Sequence, residues 1–273
     1  MSKMTEKGNP SVIAIDLDGT IVGKSNVISL NILEKLNVLK NRMPIIIATG
    51  RTLIGSRDIL NQFQPKFPVI FFDGRLIYQP SGDILLLSHC LPSKLVSLVK
   101  LRFGSSHYIV EECTELIPHT RESGISYVMS FGIPRSFISK NISGINPIYM
   151  YLKPKHRDND EDYCHLYSIA KKYSAEVYVT GNGWTVIRMQ NHTKCTALEY
   201  LGDKYGFTMS DVLAFGDGEN DRDMLKNAAI SIVMFNASES LKKIATIIAG
   251  SVDEDGALLF LEKILENGKI DLE

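Results

Sequence analysis

Val12-Ile13-Ala14-Ile15-Asp16-Leu17-Asp18-Gly19-Thr20 decides how the rest of the chain is read. Four apolar residues in a row with carboxylates directly behind them describe a strand buried on both faces, the pattern of a parallel sheet covered by helices. Working outward, Ser29 is placed to cap a helix whose Ile32, Leu33, Leu36 and Leu39 recur at helical spacing. Pro44 opens a second strand, Ile45 to Thr49, which Gly50 ends. A helical stretch follows from Leu53 to Phe63, and Pro68 opens a third strand, Val69 to Phe72. This β-α-β-α-β order predicts a parallel sheet with helices on both faces. Arg75–Tyr78 and Ile84–Leu87, joined by Gln79-Pro80-Ser81-Gly82-Asp83, read as a hairpin.

The middle of the chain follows another pattern. His107–Glu111, Ser126–Phe131, Pro147–Leu152, Ala175–Val179 and Thr185–Met189 alternate apolar with polar or aromatic residues, and helical patterns lie at Ser93–Arg102 and Glu161–Tyr173. Alternation predicts a sheet with one buried and one open face. The charged link Lys153–Asp162 reads as a surface turn. From Thr193 the first pattern returns: a helix to Tyr205, strands Val212–Phe215, Ile230–Phe235 and Ile247–Ile248, and a closing helix Ala257–Asn267. The expected organisation is a core made of residues 1–89 and 189–273, with a smaller α+β domain, residues 90–188, inserted into it.

The 273 residues carry 30 basic and 31 acidic side chains, a formal charge of −1. That balance offers no overall electrostatic reason to bind nucleic acid or an anionic membrane. With 44% hydrophobic and 22% charged residues the chain has the composition of a folded protein. No apolar run approaches the ~20 residues of a membrane-spanning helix. Met1 to Pro10 is polar, without the apolar stretch of a secretory signal, and the expected location is cytoplasmic. Cys90, Cys113, Cys164 and Cys195 lie far apart with no C-x-x-C pair, which predicts neither a disulfide framework nor a zinc site. The six histidines show no metal spacing and read as surface or loop residues.

The chemistry lies at the strand ends. Asp16 and Asp18 leave the first strand, and Gly216-Asp217-Gly218-Glu219-Asn220-Asp221 follows the strand Val212–Phe215. Alternate residues of a strand stand ~6–7 Å apart on one face, so Asp16 and Asp18 converge only if the chain turns, and Gly19 supplies that freedom. Two acid-rich turns at neighbouring strand ends repel unless a cation lies between them. Mg²⁺, which takes one or two carboxylates, waters and substrate phosphate, suits the pattern. An EF-hand is excluded because Ile21 and Arg222 stand at its glycine position. The second turn is no dinucleotide loop, since an acid stands where pyrophosphate must approach, and no P-loop signature exists. Thr49-Gly50-Arg51 offers a hydroxyl, a backbone N–H and a positive charge, and Lys194 lies in the first turn of a helix, all suited to phosphate.

Taken in order, D-L-D-G-T (16–20), T-G-R (49–51), Lys194 in N-H-T-K-C-T-A-L and G-D-G-E-N-D (216–221) resemble the haloacid dehalogenase superfamily of phosphohydrolases. The large insertion, together with Asn236-Ala237 in V-M-F-N-A, resembles its Cof-type branch. The resemblance implies a Rossmann-like α/β core with an α+β cap that selects the substrate. It implies that Asp16 is the nucleophile, forming an aspartyl-phosphate, and that Asp18 is the general acid and base. An acid at position 18 implies turnover, since relatives that store the aspartyl-phosphate have threonine there. It implies Mg²⁺ held by Asp16, the backbone carbonyl of Asp18 and Asp217, with Asp221 acting through water. It gives the phosphoryl oxygens to Thr49, the N–H groups of Leu17 and Gly50, Lys194 and Asn220.

Two positions depart from the Cof-type pattern: Asp73-Gly74-Arg75 replaces the common Asn-Gly-Ala, and Cys195 replaces a common glycine. An acid at the rim weakens binding of a second anionic group unless Arg75 pairs with it. Cys195 reads as a small buried apolar side chain. Tyr108, Tyr127, Phe131, Tyr149, Tyr151, Tyr178 and Trp184 read as core and sheet face of the insertion, with a few at the substrate entrance. The expected function is Mg²⁺-dependent hydrolysis of a small phosphorylated metabolite, a phosphosugar foremost. A phosphosugar mutase and a non-catalytic phosphometabolite sensor are the alternatives. No nucleic-acid or membrane partner is expected, and the oligomeric state is open.

Overall fold

A computed structural model describes residues 10–82, 84–87, 90–112, 116–118, 147–154, 160–179 and 184–267. The chain divides into two compact units, one of Met1–Thr52, Ser56–Leu86 and His192–Glu273, the other of Leu53–Gly55 and Leu87–Asn191.

The first unit is built on strands β1 (Val12–Ile15), β2 (Ile45–Ile47), β3 (Val69–Phe71), β4 (Leu76–Tyr78) and β5 (Ile84–Leu87). Its helices in this part are α1 (Leu30–Leu39) and α2 (Arg57–Phe63). The middle of the sequence contributes α3 (Ser93–Phe103), β6 (His107–Glu112), β7 (Leu116–Pro118), β8 (Tyr149–Pro154), α4 (Asp160–Lys171), β9 (Ala175–Val179) and β10 (Thr185–Met189) to the second unit. The first unit then resumes with α5 (Lys194–Tyr205), β11 (Val212–Gly216), α6 (Arg222–Asn227), β12 (Ile230–Val233), α7 (Glu239–Lys242), β13 (Ile247–Ile248) and α8 (Leu258–Asn267).

Five strands form a wholly parallel sheet in the order β13-β12-β11-β1-β2, and a bridge from Ala48 to Ile70 continues it toward β3. Every residue of β1, β2, β11 and β12 is buried. That is why these strands are continuous apolar runs with no alternation to read. On one face Val12, Ala14, Ile46, Val212 and Ala214 pack with Cys195, Leu198, Leu201, Met224 and Leu225 of α5 and α6. Helices α1 and α8 pack together, burying Ile32, Leu36, Leu39, Phe260, Leu261 and Ile264. Ser29 caps α1 as its sequence predicts, its hydroxyl accepting from the Ile32 N–H at 3.3 Å.

Register is what creates a site. Ile15 lies level with Phe215 on one side and Ile47 on the other. The residues that follow, Asp16, Gly216-Asp217 and Thr49-Gly50, therefore leave the sheet together at its carboxyl edge, where parallel sheets bind ligands.

In the second unit an antiparallel sheet in the order β7-β6-β8-β10-β9 packs on α3 and α4. Leu95, Val99, Phe103, Ile109, Met150, Leu152, Leu166, Val177 and Ile187 fill that layer. The other face is only partly open: Glu176, Tyr178 and Arg188 on it are part-exposed, but its aromatic positions belong to the core, as read from sequence. Tyr149, Tyr151, Trp184 and Val186 occupy the opposite positions and are buried as well. They are aromatic or aliphatic, and cations cover their rings: Arg188 lies over Tyr149 and Tyr178, and Lys153 over Trp184. His107 also departs from the expected surface position: it is buried in β6, edge-on to Phe103, with Nδ1 2.8 Å from the Ser106 hydroxyl. The short strand β7, which contains Pro118, was not expected. A proline-bearing segment belongs at a sheet edge, and there it lies. The expected strand Ser126–Phe131, with Tyr127 and Phe131, and Cys113 fall outside the described residues. No helix among the described residues is long and apolar enough to cross a membrane.

Candidate active site

Asp16 ends β1 and is 4% exposed. Its backbone N–H is held by the Phe215 carbonyl at 3.1 Å, which locks it to the neighbouring strand. One carboxylate oxygen lies 2.5 Å from Lys194 Nζ and the other accepts from the Thr20 hydroxyl at 3.2 Å. Thr20 is a positioning group that the sequence quoted but did not single out. Between the two, the Leu17 carbonyl gathers the N–H groups of Thr20, Ile21 and Val22, turning the chain sharply.

Lys194 is the first residue of α5, behind the Thr193 cap, which exchanges hydrogen bonds with Thr196. A cation in the first turn opposes the helix dipole, and here the residue is wholly buried. Two carboxylates offset both penalties: Nζ lies 2.5 Å from Asp16 Oδ1 and 2.5 Å from Asp221 Oδ1. Burial alone would lower the lysine pKa, but Asp16, Asp221 and Asp73 together hold it above its ordinary value.

Asp221 closes the second acidic turn on itself. Its Oδ2 accepts the N–H groups of Asp217 at 3.1 Å and Gly218 at 2.9 Å. Asp16, Asp217 and Asp221 each offer an oxygen within 4.8 Å of the others, a hard-oxygen cluster able to hold a metal ion. Burial pushes the Asp16 carboxyl well above the usual carboxylate range; Lys194 draws it back, while Asp221 and Asp217 push it further up. Burial and the Asp221 charge raise Asp217 to about 6, against the pull of Lys194 and Asn236. Gly19, at φ +80°, allows this approach: a Cβ there would collide with the Asp217 carboxylate.

Asn236 is a second positioning group that spacing did not reveal. Its Nδ2 donates to Asp217 Oδ2 at 2.7 Å and to the Gly19 carbonyl at 2.9 Å, tying the two acidic turns together, while its Oδ1 accepts from the Val252 N–H at 3.2 Å. The sequence marked Asn236 only as a branch feature; nothing in its spacing assigns it a role.

Thr49 is buried, its hydroxyl accepting the Arg51 N–H at 3.0 Å. Gly50 lies against Asp73 and Asn220, and Asn220 Nδ2 donates to Asp73 Oδ1 at 2.9 Å. Asp18 stands apart from the buried acids. It is exposed, and Arg51 grips it in a fork at 2.7 Å and 2.5 Å while also reaching Asn26. The Arg51 charge, read from sequence as phosphate-facing, is thus directed at Asp18. Cys195 is 4% exposed, 4.0 Å from Glu199, with its thiol pushed up to about 11 by burial and by Glu199 and Asp223. It is a packing residue, as expected.

Residues 13–261 match the haloacid dehalogenase-like hydrolases, and the chain belongs to that family, in its Cof-type branch. It is a hydrolase by class. A phosphoglycolate phosphatase of Methanopyrus kandleri is 26% identical, with 94% of this chain and 97% of that one covered. A Bacillus subtilis 5-amino-6-(5-phospho-D-ribitylamino)uracil phosphatase is 25% identical, with 93% and 97% covered. Among solved structures, a Thermotoga maritima protein shares the fold with a TM-score of 0.80 at 22% identity, covering 93% of this chain and 97% of that one. A haloacid dehalogenase-like hydrolase from Bacteroides thetaiotaomicron gives 0.79 at 21%, covering 93% and 99%.

Proposed function

We propose that this chain is a Mg²⁺-dependent phosphatase of small phosphomonoesters, with phosphosugars as the substrate class. The observation that carries the reading is the buried lysine that joins Asp16 to Asp221 beside Asp217. A carboxylate held by a fixed cation and a hydroxyl is aimed for attack, and a cation beside it supports the reading of Lys194 as a partner of phosphoryl oxygens. Relatives named as phosphatases support the phosphatase part of the reading.

In this reading an Asp16 oxygen bonds to phosphorus as the phosphorus–alcohol bond breaks, and Asp18 gives its proton to the departing alkoxide. Asp18 then takes a proton from water, whose oxygen attacks the aspartyl-phosphate, releasing phosphate and restoring Asp16. The Arg51 fork occupies both Asp18 oxygens, so proton delivery requires one to be released. The N–H groups of Leu17 and Gly50, the Thr49 hydroxyl, Lys194 and Asn220 hold the transferring group. The inserted segment, residues 90–188, selects the alcohol. Asp16, Asp217 and the Asp18 carbonyl would hold Mg²⁺, with Asp221 beside it; when bound, the ion neutralises phosphoryl charge. Release of inorganic phosphate, screened over sugar phosphates, nucleotides and pyridoxal phosphate with and without Mg²⁺, tests the proposal. Failure on every ester would refute it.

Two further outcomes are expected. Mg²⁺ should raise the melting temperature by mass action on the folded state, and Asp217→Ala should remove most of that rise. Because Asp217 is raised to about 6, its ionised form burdens the metal-free fold above that pH, and a proton relieves the burden below it. The Mg²⁺-dependent rise should therefore be full near pH 7.5 and fade as pH falls through about 6, as melting curves across that range would show. An unchanged rise in Asp217→Ala would put the ion elsewhere. Asn236→Ala should leave the metal-free melting temperature almost unchanged but raise the Mg²⁺ concentration for half-maximal activity about tenfold. A magnesium titration of activity checks this.

A further inference from the structure

The turn after β3 is built against backbone preference. Phe72 and Asp73 have φ of 52° and 51°, followed by Gly74 at 100°. Two consecutive non-glycine residues in the left-handed region persist only where their surroundings over-determine them, and such sites cluster where a side chain must be delivered to a ligand. The surroundings here are explicit. The Phe72 N–H donates to the Arg51 carbonyl at 3.0 Å and the Asp73 N–H to the Thr49 carbonyl at 3.1 Å, so the turn is stitched to the segment that ends β2. Phe72 is buried, and Arg75, also buried, donates from Nη1 back to the Phe72 carbonyl at 3.0 Å.

What the turn delivers is the Asp73 carboxylate. It is 9% exposed, its Oδ1 lies 2.9 Å from Asn220 Nδ2, and a methyl group on Gly50 would come within 2.8 Å of the same oxygen. Asn220 and Gly50 are both assigned to phosphoryl oxygens in the proposed reading, and Asp73 also helps hold Lys194 charged. Phosphate recognition has no use for an added anion at this point. An anion does serve to discriminate among the groups that phosphate is attached to.

We propose that Asp73 is a specificity-determining residue: its charge beside Gly50 and Asn220 disfavours phosphomonoesters with a second anionic group and leaves neutral or cationic alcohols accepted. The inference rests on the phosphomonoesterase reading above and narrows its substrate class. The phosphoryl group is common to all candidates, so its own repulsion by Asp73 cancels when two esters are compared. Only the charge of the remainder counts.

The test compares glycerol phosphate with phosphoglycerate, in which a carboxylate replaces one hydroxymethyl group. Binding is measured by titration calorimetry with Mg²⁺ in an Asp16→Asn background, which is expected not to turn either over. Asp73→Asn is the informative change, since asparagine tolerates left-handed backbone and keeps an oxygen for Asn220. The Asp16→Asn protein should prefer glycerol phosphate, and adding Asp73→Asn should narrow that preference about tenfold, the scale of one unit charge at ~10 Å in an intermediate dielectric. An unchanged ratio overturns the proposal. Ethanolamine phosphate tests the sign without altering position 73: it should bind the Asp16→Asn protein more tightly than glycerol phosphate does, and the reverse order contradicts the proposal even if Asp73→Asn fails to fold. Phosphate release by the wild-type protein is read separately. Its absence sinks the phosphatase reading, whereas release with an unaltered binding ratio sinks only the role of Asp73. Failure of every probe to bind overturns the role of Asp73, and the phosphatase reading is judged by phosphate release alone.

Discussion

Asp16→Asn should lower kcat by more than about a thousandfold, a loss of ~4 kcal/mol of transition-state stabilisation, while the protein stays folded. The asparagine amide keeps the shape of the carboxylate and one oxygen for Lys194 or Thr20, the two groups that fix Asp16. What it loses is nucleophilicity. Stability should not suffer, and the reason is electrostatic. Burial and two neighbouring acids push the Asp16 carboxyl well above its ordinary range, so in the metal-free protein its charge is disfavoured even after Lys194 is counted. Neutralising it removes that burden, and Lys194 keeps Asp221 as a partner. The sign follows for pH: a raised carboxyl burdens the fold at neutral pH and ceases to as pH falls, so the stability gain of Asp16→Asn should shrink toward acid. Steady-state kinetics and melting at pH 7.5 and 5 check both halves. Retention of even a tenth of kcat, a loss of only ~1.4 kcal/mol, would mean that another group attacks phosphorus.

The strands that carry this chemistry were legible because burial on both faces writes itself as an unbroken apolar run, as at Val12–Ile15 and Val212–Phe215. The acids that follow were legible for the same reason, since polar residues directly behind such a run must leave the sheet at its edge. Register was not written there. That Ile15 pairs with Phe215, bringing Asp16 to Asp217, is set by packing across residues distant in sequence. Asn236 and Thr20 escaped because a lone amide or hydroxyl has no periodicity, and each acquires its role from a partner turn that only the fold brings near. Arg51 was read as free for phosphate because sequence cannot show that Asp18 turns outward to meet it. The left-handed turn at Phe72-Asp73 was half hidden for another reason. Glycine, asparagine and aspartate are the usual markers of positive φ, so Asp73-Gly74 carries a signal, but Phe72, an aromatic residue, does not. On the second face of the insertion's sheet the alternation overstated the exposure, because aromatic residues suit either a buried layer or an open face, while Tyr149, Tyr151 and Trp184 lie in the core as their reading expects.

Lys194→Met should damage the fold severely. Methionine fills the volume of the lysine stem, so the loss is of charge rather than packing, and it strands two buried carboxylates. Asp16 and Asp221, 4% and 0% exposed, have Nζ as their shared cation at 2.5 Å. Breaking a buried pair by removing one partner is expected to destabilise by about 3–5 kcal/mol, because the partner left behind is an uncompensated charge. Asp221 retains the N–H groups of Asp217 and Gly218, so the larger share should fall on Asp16, whose only other side-chain partner in the described structure is the Thr20 hydroxyl. With Lys194 gone nothing draws the Asp16 carboxyl back, and its raised pKa rises further. By the sign for a raised carboxyl, the part of the deficit that comes from the Asp16 charge should shrink as pH falls and protonation neutralises it. Turnover should fall more than about a hundredfold, through loss of the cation that faces the phosphoryl oxygens. A double-mutant cycle makes the argument quantitative. Adding Asp16→Asn to Lys194→Met removes one stranded charge and should restore part of the lost stability, so the two changes are not additive. Urea denaturation of the four proteins gives the coupling directly. A loss below about 1 kcal/mol in Lys194→Met, or strict additivity with Asp16→Asn, would mean that water reaches these acids and that the buried lysine is not what holds the nucleophile in place.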